Sequence, residues 1–217
     1  MDKKQRVYVW LAAIFVAALV TGDFVGGKFF VLFGRNFSAG IIPFPLTFVL
    51  TDLVNEFYGT HGARRLTFMG LGAAVFVWTI ITISLHLPAS PDSPIPGAVF
   101  QAAFGTSARL YVASLTAYLI GQMLDIAIFR NLRRVTGHRL LWLRATGSTV
   151  LSQIIDSLTV SFVFLVGSKP LGFIVENGAH NYVGKLAMAV LLTPLIYAGH
   201  ALFRRHFQLP ERDEPAR

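Results

Sequence analysis

Six runs of about twenty mostly apolar residues, near 7–26, 39–58, 65–87, 108–130, 146–167 and 182–203, constrain this chain more than any other feature. Each is long enough, at ~1.5 Å per helical residue, to cross the ~30 Å hydrocarbon layer of a bilayer. The breaks between the runs carry residues that end helices: Gly26-Gly27 and Gly34, Gly59-Thr60-His61-Gly62, Pro88 to Pro96, an arginine-rich stretch at 130–144, and Gly167-Ser168-Lys169-Pro170. Composition agrees, since 54% of residues are hydrophobic and only 14% charged, too apolar for an ordinary soluble domain. The expected fold class is an all-α integral membrane protein with six transmembrane helices. Residues 1–207 are expected to form one transmembrane domain, and 208–217 a solvated cytoplasmic tail. The second run is entered through Pro43 and Pro45, which leaves a re-entrant or broken segment open there.

Basic residues set the expected orientation, because Lys and Arg are retained on the cytoplasmic side. With the N-terminus inside, cytoplasmic segments hold Lys3, Lys4, Arg6, Arg64, Arg65, Arg130, Arg133, Arg134, Arg139, Arg144, Arg204, Arg205, Arg212 and Arg217. The other side keeps Lys28, Arg35, Arg109, Lys169 and Lys185, so both termini should be cytoplasmic. The net charge of +8 is then a topology signal. Nucleic acid is not an expected partner, since no basic patch is interleaved with stacking aromatics on a soluble domain. Lys3, Lys4 and Arg6 before an apolar stretch could also open a signal peptide, but no clean A-x-A site follows and five further spans make one unnecessary. With no cysteine, disulfides, thiolate metal sites and cysteine nucleophiles are excluded. The six histidines show no metal-ligand spacing, so neither metal nor cofactor is expected.

Against this apolar background the polar residues stand out. Gln122 and Asp125 in the fourth run are repeated as Gln153 and Asp156 in the fifth. Residues three apart share a helical face, where the amide and acid can grip one ligand. An acid at a helix centre costs ~2.5–3.5 kcal/mol on insertion scales, whereas an interhelical hydrogen bond returns only ~1 kcal/mol. Function therefore explains these four residues better than packing does. The second run adds Asp52, Asn55 and Glu56 on one face, with Glu56 also near enough to the headgroups to pair with Arg64 or Arg65. The stripes continue through Ser114, Tyr118 and Gly121, and through Ser148, Thr149, Ser152 and Thr159, small or hydroxylated residues that helix packing also uses. Lys185 and Arg109 can each be interfacial anchors or counter-ions for a carboxylate. Asp23 and Lys28 form another candidate pair.

Several ordered strings between about residues 8 and 203 resemble the queuosine precursor transporter family, formerly grouped as vacuolar or unknown transporters. They are Thr51-Asp52-Leu53-Val54-Asn55-Glu56-Phe57-Tyr58-Gly59, Arg109 with Ala117-Tyr118-Leu119-Ile120-Gly121-Gln122-Met123-Leu124-Asp125 and Phe129, Ser148-Thr149-Val150-Leu151-Ser152-Gln153-Ile154-Ile155-Asp156-Ser157, and Lys185 followed by Thr193-Pro194-Leu195-Ile196-Tyr197. The resemblance implies a multi-pass importer of the bacterial inner membrane. Its implied cargo is 7-cyano-7-deazaguanine and 7-aminomethyl-7-deazaguanine, salvaged for queuosine in tRNA, and its implied fold is similar to the substrate-binding subunits of energy-coupling-factor importers.

The residues suit such a ligand on their own chemistry. A deazaguanine presents a ring N–H beside an exocyclic amine, a donor pair that one carboxylate, Asp125 or Asp156, accepts. Gln122 or Gln153 can donate to the ring carbonyl, and Tyr118 or a phenylalanine offers a flat stacking surface. A cationic aminomethyl group could then be met by the second acid. The partners expected are thus a small-molecule 7-deazaguanine and the lipid bilayer, with a homodimer left open. The alternative function is uptake of a vitamin or another nucleobase, as a binding subunit of a multi-component importer or alone. An enzyme is not expected, because no nucleophile–base motif and no Gly-x-Gly-Asp protease string is present. A purely structural subunit would tolerate loss of the acids.

Overall fold

The computed structural model describes residues 2–26, 28–32, 35–105, 108–136 and 141–207. Helix α1 spans Lys3–Gly26 and is followed by a two-stranded antiparallel hairpin, β1 (Phe29–Leu32) and β2 (Arg35–Ser38), in which Phe30 pairs with Phe37. A 3-10 turn at Ala39–Ile41 leads into α2 (Phe44–His86), then α3 (Gly97–Phe104), α4 (Ala108–Thr136), α5 (Leu141–Leu165) and α6 (Leu171–Phe207). Among the described residues three helices are long and apolar enough to cross a membrane: α1, α2 and the part of α4 from Tyr111 to Thr136.

Polarity is distributed as a lipid solvent requires. Trp10, Ile14, Phe68, Phe76, Ile80, Leu191 and Leu202 are exposed, while Thr51, Asp52, Asn55, Gln122, Asp125, Ser152 and Gln153 are buried. A soluble protein would reverse that arrangement. The chain is an all-α membrane protein.

The 43 residues of α2 do not form one rod, because Gly59 sits at φ 71° and ψ 178° inside it. That backbone region is essentially closed to residues with a Cβ. Contacts on either side give the direction of each limb. In the first limb, Thr51 bonds Gln122 and Asn55 bonds the Ile126 carbonyl, so the two numberings rise together and the limb runs parallel to α4. In the second limb, Thr67 receives the Tyr118 hydroxyl and Ala74 the Tyr111 hydroxyl, so this limb runs antiparallel to α4. Helix α1 agrees: Tyr8 meets Tyr58 and Gly22 lies under Phe44, whereas Tyr8 also bonds the Gly62 carbonyl and Phe15 lies over Gly70. Gly59 is therefore a corner between two antiparallel helices, which correspond to the second and third apolar runs.

The segment entered through Pro43 and Pro45 is an unbroken helix rather than a broken one. Pro43 precedes α2 and Pro45 lies in its first turn, where a missing N–H leaves no intrahelical bond unmade. Helix α6 begins at Leu171, eleven residues ahead of the apolar run that announces it.

The core has two parts. Phe15 and Leu19 of α1, Val54 and Leu66 from the two limbs of α2, and Tyr118 and Ile126 of α4 form one. Val49, Leu53, Phe129 and Ala145 form the other, with Phe57 against it. Phe57 stacks on Phe203 with ring centroids 4.5 Å apart, and the Tyr58 hydroxyl bonds the Lys4 carbonyl at 2.8 Å. These contacts gather the start of α1, the Gly59 corner and the ends of α4 and α6 at one end of the bundle, the end that carries Lys3, Lys4, Arg6, Arg64, Arg65, Arg133, Arg134, Arg204 and Arg205. The hairpin, α3 and the connection between α5 and α6 lie toward the other end. Arg139, Arg212 and Arg217 are outside the described residues, as is the expected tail.

Candidate functional site

Helices α4 and α5 pack antiparallel, with Gly121 against Asp156, Asp125 against Ser152, and Gly147 against Leu132. This register brings the repeated amide–acid pairs onto one interface. Asp125 is fully buried, and its Oδ1 accepts from the Ser152 hydroxyl at 3.2 Å and the Thr149 hydroxyl at 3.4 Å. Its Oδ2 is buried and has no protein partner among the described residues. Gln122 is tied to α2 by the Thr51 hydroxyl, which donates to Oε1 at 3.2 Å, while its Nε2 has no partner among the described residues. Gln153 is 2% exposed, and among the described residues neither its oxygen nor its nitrogen nor the Ser157 hydroxyl has a partner.

Leaving one buried polar atom unmatched costs about 1–3 kcal/mol. Several such atoms from adjacent helices mark a place where a polar partner restores hydrogen bonds that folding removed. Their chemistry is mixed. Asp125 Oδ2 and Gln153 Oε1 accept, Gln122 Nε2 and Gln153 Nε2 donate, and the Ser157 hydroxyl does either. A guanine-type edge, with a carbonyl acceptor beside two N–H donors, is complementary to that set.

Asp156 is built differently. It packs on Gly121, where an added Cβ would stand 3.1 Å from the Asp156 Cβ and 3.3 Å from its Oδ1, so glycine makes the space for this carboxylate. On its other side the Lys185 ammonium of α6 pairs with Oδ2. Of the two roles open to Lys185 at the outset, anchor or counter-ion, the structure has the counter-ion. This alters the expectation for a cationic aminomethyl group, because the second acid already holds a cation.

The remaining candidates separate from this interface to different degrees. Asp52 and Asn55 are buried on the first limb of α2, and the Asn55 amide donates to the Ile126 carbonyl at 3.3 Å. Glu56 pairs with Arg133 at 3.9 Å, and Arg133 also bonds the Glu56 carbonyl at 3.1 Å; among the described ion pairs neither Arg64 nor Arg65 reaches it. That pair ties the corner of α2 to the basic end of α4. The Tyr118 hydroxyl donates to the Thr67 carbonyl at 3.0 Å and its ring belongs to the core, so the groups that would stack on a ligand hold α4 to α2 instead. Asp23 is half-buried, and among the described residues it makes no ion pair with Lys28. The side chain of Arg109 lies outside the described residues. Thr51 and Ser157 join the candidates from the structure alone. In the sequence both stand only within the family-like strings that begin at Thr51 and end at Ser157, with no spacing that singles either out. Among the described residues no group of three His, Asp or Glu side chains is placed to hold a metal ion.

Comparison with known proteins gives a consistent picture. The family described as "Putative vitamin uptake transporter" matches residues 38–199. A protein of Bacillus subtilis strain 168 named "Probable queuosine precursor transporter" is 29% identical over 90% of this chain and 83% of its own length. The "Queuosine precursor transporter" of Escherichia coli K12 is 27% identical over 81% of this chain and 76% of its own. A "Probable queuosine precursor transporter" of Haemophilus influenzae is 24% identical over 88% and 85% respectively. No solved structure matches the chain.

Proposed function

Because the chain belongs to this uptake-transporter family, we propose that it imports queuosine precursors, 7-cyano-7-deazaguanine and 7-aminomethyl-7-deazaguanine, across the bacterial inner membrane. The observation that carries the substrate assignment is the set of buried, unpartnered donors and acceptors on Gln122, Asp125 and Gln153. In this reading Asp125 Oδ2 and Gln153 Oε1 accept the ring N–H and exocyclic amine, and Gln122 Nε2 donates to the ring carbonyl. Ser152 and Thr149 hold Asp125 in orientation, as Thr51 holds Gln122. Asp52 and Asn55 line the α2 side of the same site, and Glu56 and Tyr118 support it from further away; Arg109 is kept as a candidate from the sequence alone.

The proposed topology has six spans, with the two limbs of α2 counted separately and both termini cytoplasmic. Clustering of the basic residues at one end of the bundle supports it. A bacterial strain unable to make these precursors and lacking its own importer provides the test. Expression of this chain should restore queuosine to its tRNA when 7-cyano-7-deazaguanine is supplied at low concentration or 7-aminomethyl-7-deazaguanine at a higher one. No restoration, with the protein present in the membrane, would refute the assignment. The family's description favours one second reading, uptake of a vitamin. A thermal-shift panel of deazaguanines, nucleobases and vitamins on purified protein distinguishes the two, since only the true ligand stabilises the fold.

A further inference from the structure

Of the two acids on the α4–α5 interface, Asp125 has an open oxygen and Asp156 has a resident cation. The Lys185 ammonium comes from a different helix, and its side chain is 34% exposed while that of Asp156 is 12% exposed. Lysine therefore reaches inward along its stem to a carboxylate that glycine at 121 lets sit deep between α4 and α5. Asp52, the third buried acid, stands on α2 and takes part in interactions of its own.

We propose that Lys185 is the specificity-determining residue of this site: by occupying Asp156 it withholds that carboxylate, and the site selects bases with an uncharged substituent over bases carrying a protonated amine. This rests on the reading of the chain as a deazaguanine transporter. A ligand ammonium directed at Asp156 either shares one carboxylate with the Lys185 ammonium or displaces that ammonium from its ion pair. Both are unfavourable, because two like charges on one carboxylate repel at close range and a displaced lysine gives up its salt bridge to the nearly buried Asp156. Rejection through a charge left without a partner is a common source of discrimination. Asp125 does not compensate, since its open oxygen is engaged by the ring donors of either base.

The test compares binding of 7-cyano-7-deazaguanine and 7-aminomethyl-7-deazaguanine to purified full-length protein. Wild-type protein is expected to prefer the cyano compound at least tenfold, a comparison that needs no variant. Lys185→Met should shift the ratio toward the aminomethyl compound at least tenfold, and Lys185→Arg should keep the wild-type ratio. In the Lys185→Met, Asp156→Asn double variant the acquired preference for the cation should vanish. Equal affinities in wild-type protein, or an unchanged ratio in a folded Lys185→Met protein, would overturn the proposal while leaving the transporter reading intact. Binding of neither base to wild-type protein would instead remove the transporter reading, and this inference with it.

Discussion

Replacing Asp125 with Asn separates a ligand-binding acid from a structural one. The side chain keeps its size, and the Ser152 and Thr149 hydroxyls, which donate to Oδ1 at 3.2 and 3.4 Å, find the same acceptor if the amide oxygen takes that position. The amide nitrogen then stands where Oδ2 was, the oxygen without a protein partner. It presents a donor to the donor edge of the base. Hydrogen bonds to charged groups contribute about 1.5–3 kcal/mol, so affinity for 7-cyano-7-deazaguanine should fall about 10- to 150-fold. Stability should move the other way or not at all. The substitution removes a fully buried charge with no cation bonded to it among the described residues, which relieves a desolvation cost. Calorimetry on monodisperse protein, with a melting curve for each variant, reads both quantities. Affinity within threefold of wild type at an unchanged Tm would refute the assignment of Asp125 to the ligand.

Three further outcomes follow from particular positions. Gly121→Val should lower stability by about 1–3 kcal/mol, because a Cβ there already presses on Asp156 at 3.1 Å; an unchanged melting temperature in this variant would contradict the seating of Asp156 on Gly121. Gly59→Ala should cost about 1–3 kcal/mol through backbone strain alone, since nothing lies within 4 Å of the added Cβ. Binding by the folded fraction should persist, and an unchanged melting temperature would argue against a corner at this residue. In the cysteine-free chain, Ser93→Cys should react with an impermeant thiol reagent from outside and Thr136→Cys should not, as required if the loop at 87–96 and the end of α4 lie on opposite sides of the membrane.

Hydropathy located the helices because each apolar run had to be long, and Gly59, Pro88 and Gly167 mark real ends. It did not locate what lies outside the bilayer's demands. Residues 171–181 are helical, yet Glu176, Asn177, His180 and Asn181 dilute their apolar signal, so the apolar run begins only at 182. The hairpin at 29–38 gave no strand alternation, since Phe29, Phe30, Val31 and Leu32 are all apolar, and α3 is too short to show a period. The amide–acid repeat was legible because a charge in lipid demands a reason. Its wiring was not. Asp156 and Lys185 are 29 positions apart, and Thr51 and Gln122 are 71 apart, separations at which only packing decides who meets whom. The Arg133–Glu56 pair is hidden for the same cause: Arg64 and Arg65 are nearer in sequence, but packing brings Arg133 of α4 to the Gly59 corner.

Uptake of labelled 7-cyano-7-deazaguanine into liposomes that contain this chain and no other protein tests the central claim most directly. The account predicts saturable uptake above that of protein-free liposomes, competed by unlabelled base and reduced at low substrate by Asp125→Asn. Uptake equal to protein-free liposomes, from a preparation whose protein is folded and inserted, would contradict it.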